Sequence, residues 1–162
     1  MAKFNVLTPV PRSQLPKGTK AMITTWVMKK KVSGKLCGRL NAQGYEQEEG
    51  KHYYADYIAA LVSNPMLIRI LLTLLAMNPD WLLKVIYGNC AFLQGRSKNG
   101  KELYIETPEG FEQYYEGDVV LLLNILIYGT KQAVACFYKS LVEKVKDRGY
   151  ECSKGDSCLY YI

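Results

Sequence analysis

The sequence predicts an α+β fold with an antiparallel sheet, and three observations carry that expectation. A basic, β-rich segment folds back on itself at a Ser-Gly turn. An apolar run is framed by helix start and stop signals. Short apolar strands and one amphipathic helix then complete the chain. With 162 residues, 49% of them hydrophobic and 22% charged, the chain can bury a real core and is not a disordered tail.

Residues 1–20 carry Pro9, Pro11, Pro16 and Gly18 without a sustained period, and they read as an extended lead-in. Residues 22–32 (MITTWVMKKKV) are rich in β-formers. Ser33-Gly34 then offers a turn into a second strand over 35–45, giving a hairpin whose tip holds lysines in solvent. Ser63 or Asn64 can cap a helix that has Pro65 at its first position. The run MLIRILLTLLAM is apolar nearly all round, which predicts a buried helix ending near Asn78-Pro79.

LLKVIYG, about 82–88, fits a central strand, and ELYIE (102–106) and VVLLLN (119–124) are two more. The last helix is expected over 131–148, with Val134, Phe137, Leu141 and Val145 on one face. Lys146 and Arg148 fall in its last turn and Gly149 just beyond it, a stop signal. Residues 158–162 begin a further strand. The chain thus divides into the lead-in 1–20, a hairpin and helix over 21–80, and a sheet-and-helix unit over 81–162.

Net charge is +6, and its distribution is uneven. Nine Lys or Arg (Lys3, Arg12, Lys17, Lys20, Lys29, Lys30, Lys31, Lys35 and Arg39) precede the first carboxylate, Glu46. The other twelve face all 15 acids, so residues 45–162 carry −3. A polyanion such as RNA or DNA is the partner this favours, through residues 1–44, with a solvated basic arm as the bland alternative.

Several function classes drop out. No stretch reaches the ~18 apolar residues of a membrane span, and no apolar segment follows Lys3 as in a secretory signal. Five scattered cysteines (Cys37, Cys90, Cys136, Cys152 and Cys158) without such a signal suggest reduced thiols in the cytoplasm or nucleus. His52, the one histidine, stands beside Tyr53, Tyr54 and Tyr57 and reads as part of an aromatic patch. There is no CxxC and no P-loop, so no metal site is expected.

A family resemblance then becomes specific. Trp26–Lys31 (WVMKKK) and Arg39–Tyr45 (RLNAQGY) resemble the "WVxKxK" and "KARLVAQGF" blocks of copia-type retrotransposon reverse transcriptases, RNA-directed DNA polymerases. Ile68–Leu72 resembles the helix that follows. Ala91–Gly95 (AFLQG) resembles "DVKTAFLNG", Leu103–Phe111 "xYMxQPxGF", and Ile127–Ala133 (IYGTKQA) "LYGLKQA". Gly149-Tyr150 with Asp156–Tyr160 resembles the "GF…D.CLY" ending. Seven blocks in the family's order, over about residues 20–162, make the match strong.

The resemblance implies part of a right-hand polymerase fold: a fingers-like hairpin and helix over 21–80 and an incomplete palm over 81–162. It implies nucleotide contacts from Arg39, Phe92 and Gln132, and phosphate or template contacts from Lys29, Lys30, Lys31 and Lys35. Positive groups suit that role because phosphoryl transfer concentrates negative charge. The intact family uses Mg²⁺, held by carboxylates converging on two ions about 3.5–4 Å apart.

Departures bear on that chemistry. Tyr87 occupies the position of the family's first catalytic Asp, four residues before Ala91, and a neutral phenol does not chelate magnesium. The "YVDD" hairpin with the other two aspartates does not occur by Ile162. Asp80, Asp118 and Asp156 are poor substitutes, and Cys37 replaces the lysine of "KAR". The expectation is a non-catalytic remnant with residual nucleic-acid affinity, no catalytic residue and no resident cofactor. The alternatives are a domesticated nucleic-acid-binding protein, or a structural or assembly subunit whose open sheet edge a protein partner covers.

Overall fold

The computed structural model describes residues 5–60, 62–86, 88, 91–94 and 101–162, without the side chains of Tyr57, Phe92 and Gln94. Its elements are β1 (Leu7–Pro11), β2 (Thr24–Lys30), β3 (Leu36–Ala42), α1 (Pro65–Met77), β4 (Tyr104–Glu106), β5 (Val119–Leu123), α2 (Ala133–Lys146), β6 (Glu151–Cys152) and β7 (Tyr160–Tyr161). Every ladder between these strands is antiparallel, in sheets ordered β1-β5-β4, β2-β3 and β6-β7. The fold is therefore mixed α and β with antiparallel sheets, as the element order implies.

Alternation along β5 sorts the core into two faces. Leu121 and Leu123 pack with Ile105, Val6, Met22, Leu40, Leu126, Ile127, Ala133 and Cys136. Val120 turns the other way, onto Tyr104 and Ala21, with Val10, Leu15 and Leu122 at the margin. The β2-β3 hairpin joins the first face through Met22: its amide donates to Tyr104 O at 2.9 Å and its carbonyl accepts from Glu106 N at 2.9 Å.

The extended lead-in contains a strand that its prolines conceal. β1 pairs with β5 from Leu7↔Leu123 to Pro11↔Val119. The flanking bonds, Asn124 N to Val6 O and Arg12 N to Asp118 O, put the even-numbered residues in the ladder. Pro9 and Pro11 fall on the alternate positions, where the missing N–H faces away from β5. An edge strand tolerates them there.

Three other expectations need correction. Residues 82–86 of the proposed central strand are not strand, and Leu82, Val85 and Ile86 are exposed; Tyr87 lies outside the described residues. An apolar run becomes a strand only with a ladder partner, and none is present among the described residues. Helix α1 forms as expected, with the Asn64 side chain accepting from Met66 N at 2.9 Å and Pro65 at its first position, yet none of its residues is buried. Its all-round apolar pattern demands cover that the described residues do not supply. In α2 the buried residues are Ala133, Ala135 and Cys136, while Val134 and Leu141 are exposed. Small side chains seat the first turn in the core, and a search for large apolar residues overlooks that face.

Hairpin and sheet meet at a seam without side chains. Gly129, at φ +88°, lies so close to β3 that an added Cβ would overlap the carbonyl oxygen of Ala42, and Gly44 stands in the same relation to the carbonyl oxygen of Gly129. The Ala42 amide donates to Tyr128 O at 2.8 Å across this contact. Gly34, at φ +79° in the hairpin turn, has open space around it.

These two environments predict different costs for the same substitution. Gly34→Ala should lose about 1–2 kcal/mol, the left-handed backbone penalty alone. Gly129→Ala adds a backbone collision and should lose about 3 kcal/mol or more. Urea denaturation of the two variants measures the difference.

Candidate nucleic-acid interface

The β2-β3 register decides which positive side chains share a surface. Val27 faces Arg39, Lys29 faces Cys37, and Lys31 N bonds Lys35 O at 2.9 Å to close the turn. With side chains alternating, Lys29, Lys31, Lys35 and Arg39 lie on one face of the hairpin. Lys30, opposite Leu36, is on the other, with Met28 and Trp26. That second face is anchored at its base: Leu40 is buried, Trp26 Nε1 donates to Glu109 O at 3.1 Å, and the Trp26 ring lies 5.6 Å from Phe111. One face holds the hairpin in place and leaves the basic face open.

The N-terminal charge excess is not wholly free. Arg12 makes paired bonds to Glu106 (2.5 and 3.0 Å) and to Asp118 (2.8 and 3.0 Å), and these bonds raise its already high pKa further. Lys20 bonds Glu46 at 3.0 Å. Lys29, Lys30, Lys31, Lys35 and Arg39 join no ion pair among the described residues. Arg39 sits 5.5 Å from the centroid of the Tyr128 ring, a cation–π contact that holds it at the glycine seam.

Gln132 is buried and fully engaged. Its Oε1 accepts from Gln47 Nε2 at 2.9 Å and its Nε2 donates to His52 O at 3.3 Å. Gln47, also buried, accepts from Lys131 N at 2.7 Å, while Lys131 Nζ donates to Gln47 O and the Tyr53 hydroxyl. His52 Nδ1 accepts from Glu48 N at 2.8 Å. The aromatic patch is thus a clasp between loop 44–53 and the start of α2. Sequence reasoning missed Gln47, Gly44 and Gly129, although each lies in or beside a reverse transcriptase-like block.

Phe92 lies in the 3₁₀ turn Ala91–Gln94, and its side chain is outside the described set, as is Tyr87. Two of the three carboxylates considered for metal binding are committed elsewhere. Asp118 binds Arg12, and Asp156 accepts from Cys158 N at 2.7 Å and from Asn64 N at 3.4 Å. No group of three or more His, Cys, Asp or Glu residues among the described residues is arranged to hold a metal ion. The described donor set does not fit a two-magnesium centre. No helix among the described residues is long and apolar enough to cross a membrane.

The family model described as reverse transcriptase (RNA-dependent DNA polymerase) matches residues 10–161, and the chain belongs to that family. It is 33% identical over 153 residues to the retrovirus-related Pol polyprotein from transposon TNT 1-94 of Nicotiana tabacum, covering 91% of this chain and 11% of that protein. It is 31% and 29% identical to the Pol polyproteins from transposons RE2 and RE1 of Arabidopsis thaliana, each covering 85% of this chain and 9% of the relative. These are copia-type elements, and the chain spans about a tenth of their length. No solved structure is a significant match.

Glu46 offers a test of the seam's electrostatics. Its carboxylate accepts from Ile23 N at 3.0 Å and from Lys20, which lowers its pKa, the backbone bond most of all. A depressed folded pKa contributes stability above the ordinary carboxylate range and loses it as pH falls through the depressed value. Glu46→Gln should therefore lower stability at neutral pH by about 1–3 kcal/mol and flatten the acid limb of a stability–pH profile.

Proposed function

We propose that the chain is a reverse transcriptase-derived fragment that binds nucleic acid through the outer hairpin face and does not polymerise DNA. One observation carries the reading: Lys29, Lys31, Lys35 and Arg39 share a face on which none of them has a carboxylate partner among the described residues. Four cations at strand spacing match a phosphate backbone, and the partner class is RNA or DNA. In the right-hand polymerase reading, 21–80 is fingers-like and 81–162 palm-like. Arg39, held against Tyr128, and Phe92 are the residues proposed to meet a nucleotide. Gln132 is proposed to act beneath that surface by fixing the start of α2.

The inactive half of the proposal rests on Tyr87 at the position of a metal-binding aspartate. Template-directed primer extension with Mg²⁺ or Mn²⁺ should give no product; template-dependent DNA synthesis would overturn this half. Binding is tested separately by fluorescence anisotropy of labelled single-stranded RNA and DNA across salt concentrations. Replacing Lys29, Lys31, Lys35 and Arg39 with Gln should reduce the slope of log K against log salt by about 0.7–0.9 for each phosphate no longer neutralised. Lys30→Gln alone should change it less. Affinity that is absent at low salt, or indifferent to the four replacements, sinks the binding reading.

Helix α1 favours a second reading, assembly with a protein partner. Met66, Ile68, Ile70, Leu71, Leu72 and Met77 are all exposed, and a run of apolar side chains on one exposed helix is the kind of surface a protein partner covers. Monodisperse monomer on a sizing column would count against it.

A further inference from the structure

Outside the hairpin face, the strongest uncommitted chemistry is at the β6-β7 turn. Cys152 ends β6 opposite Tyr160, and Cys158 lies in the turn that leads into β7. The turn is tightly made: Ser153 N donates to Leu159 O at 2.8 Å, Leu159 N to Asp156 O at 3.0 Å, and Cys158 N to Asp156 Oδ1 at 2.7 Å. Folding it this way carries Ser157 back over β6, where Cys152 Sγ lies 3.6 Å from the Ser157 carbonyl oxygen. The next Cα across a trans peptide is about 2.8 Å from that oxygen, so Cys158 Cα is at most about 6.4 Å from Cys152 Sγ. A disulfide needs the two Cβ atoms about 3.5–4.5 Å apart, so closing it from within this bound takes side-chain rotation together with a shift of the turn.

We propose that Cys152 and Cys158 form a dithiol site that closes to an intrachain disulfide by exchange with a small-molecule disulfide. The solvent-exposed Cys152 thiolate attacks one sulfur of the reagent, whose S–S bond breaks and releases one thiolate. Cys158 then attacks the Cys152 sulfur of the mixed disulfide and expels the second thiolate. Two protein thiols are oxidised, one external disulfide is reduced, and the two protons pass through solvent to the released thiolates. Burial, and then the negative charge of Asp156, raise the Cys158 pKa and disfavour it as the first attacker, so the second step depends on its proximity to the Cys152 sulfur.

The other described cysteines are placed differently. Cys136 is buried in the core and Cys37 lies in the hairpin opposite Lys29. Closing the site would also fix a turn that touches both helices: Tyr138 hydroxyl donates to Ser157 O at 3.1 Å, and Asn64 N to Asp156 Oδ2 at 3.4 Å. The oxidised form therefore links α2 to the N-terminus of α1 more rigidly than the reduced form.

The full chain, reduced and then exposed to glutathione disulfide, tests this by intact mass and peptide mapping. The expected product has lost two hydrogens, with the peptides of Cys152 and Cys158 joined and no glutathione on either. Cys158→Ser should trap glutathione on Cys152. The second step should run at least about tenfold faster in the native chain than in urea, where only sequence proximity remains. A stable glutathione adduct on Cys152 of the unaltered chain, or equal closure rates in buffer and urea, would overturn the proposal. Neither readout depends on nucleic-acid binding, so the two proposals fail separately.

Discussion

Contact between backbones at Gly44, Gly129 and Ala42 is the constraint on which the remaining architecture depends. A carbonyl can approach so closely only where no Cβ stands in the way, and Gly129 also holds the positive φ that turns β5's exit loop toward α2. The Ala42–Tyr128 hydrogen bond fixes the hairpin's register against that loop. Gln47, Lys131 and Gln132 then fasten the next layer, and Arg39 lies over Tyr128 because the hairpin has nowhere else to sit. The orientation of the basic face is thus set by a joint some distance from its lysines.

The same joint explains how the chain sorts its charges. Positive groups near the sheet are neutralised locally, Arg12 by Glu106 and Asp118 and Lys20 by Glu46. Those at the hairpin tip project beyond any carboxylate of the described residues. Exposed pairs contribute little stability, so the local pairs matter chiefly by tying β1 to β4 and β5 and the lead-in to loop 43–47. They also concentrate the uncompensated field on one small surface, where a polyanion would meet it.

Much of this was legible in the sequence, for reasons that differ by element. The hairpin announced itself through β-rich alternation around Ser33-Gly34, and the helix ends through Asn64-Pro65 and Gly149, because these signals act within a few residues. Strand β1 was hidden because Pro9 and Pro11 veto a strand in general but not at alternate edge positions. The burial of α1 was misjudged because apolar content states a need for cover, not its presence. In α2 the buried face is built from Ala133, Ala135 and Cys136, which carry almost no hydrophobic signal. Of the site, the cluster of lysines was visible; its division between two faces needed the register, and the commitment of Arg12 and Lys20 needed partners 94–106 and 26 residues away.

The geometry also changes what the family-like blocks mean within this one chain. Gln132 and Gly129 belong to the stretch IYGTKQA, and Gly44 to RLNAQGY, two of the strongest points of resemblance to reverse transcriptases. Here each has a packing role that requires its identity: the glycines for space, and the glutamine for a buried amide pairing with Gln47. A chain under demand only to fold would keep them. Residues that chemistry alone requires are under no such demand, and Tyr87 is proposed to stand at one of these positions. Retention of the blocks is therefore a sign of shared fold, and polymerase activity has to be judged from the metal-binding position alone.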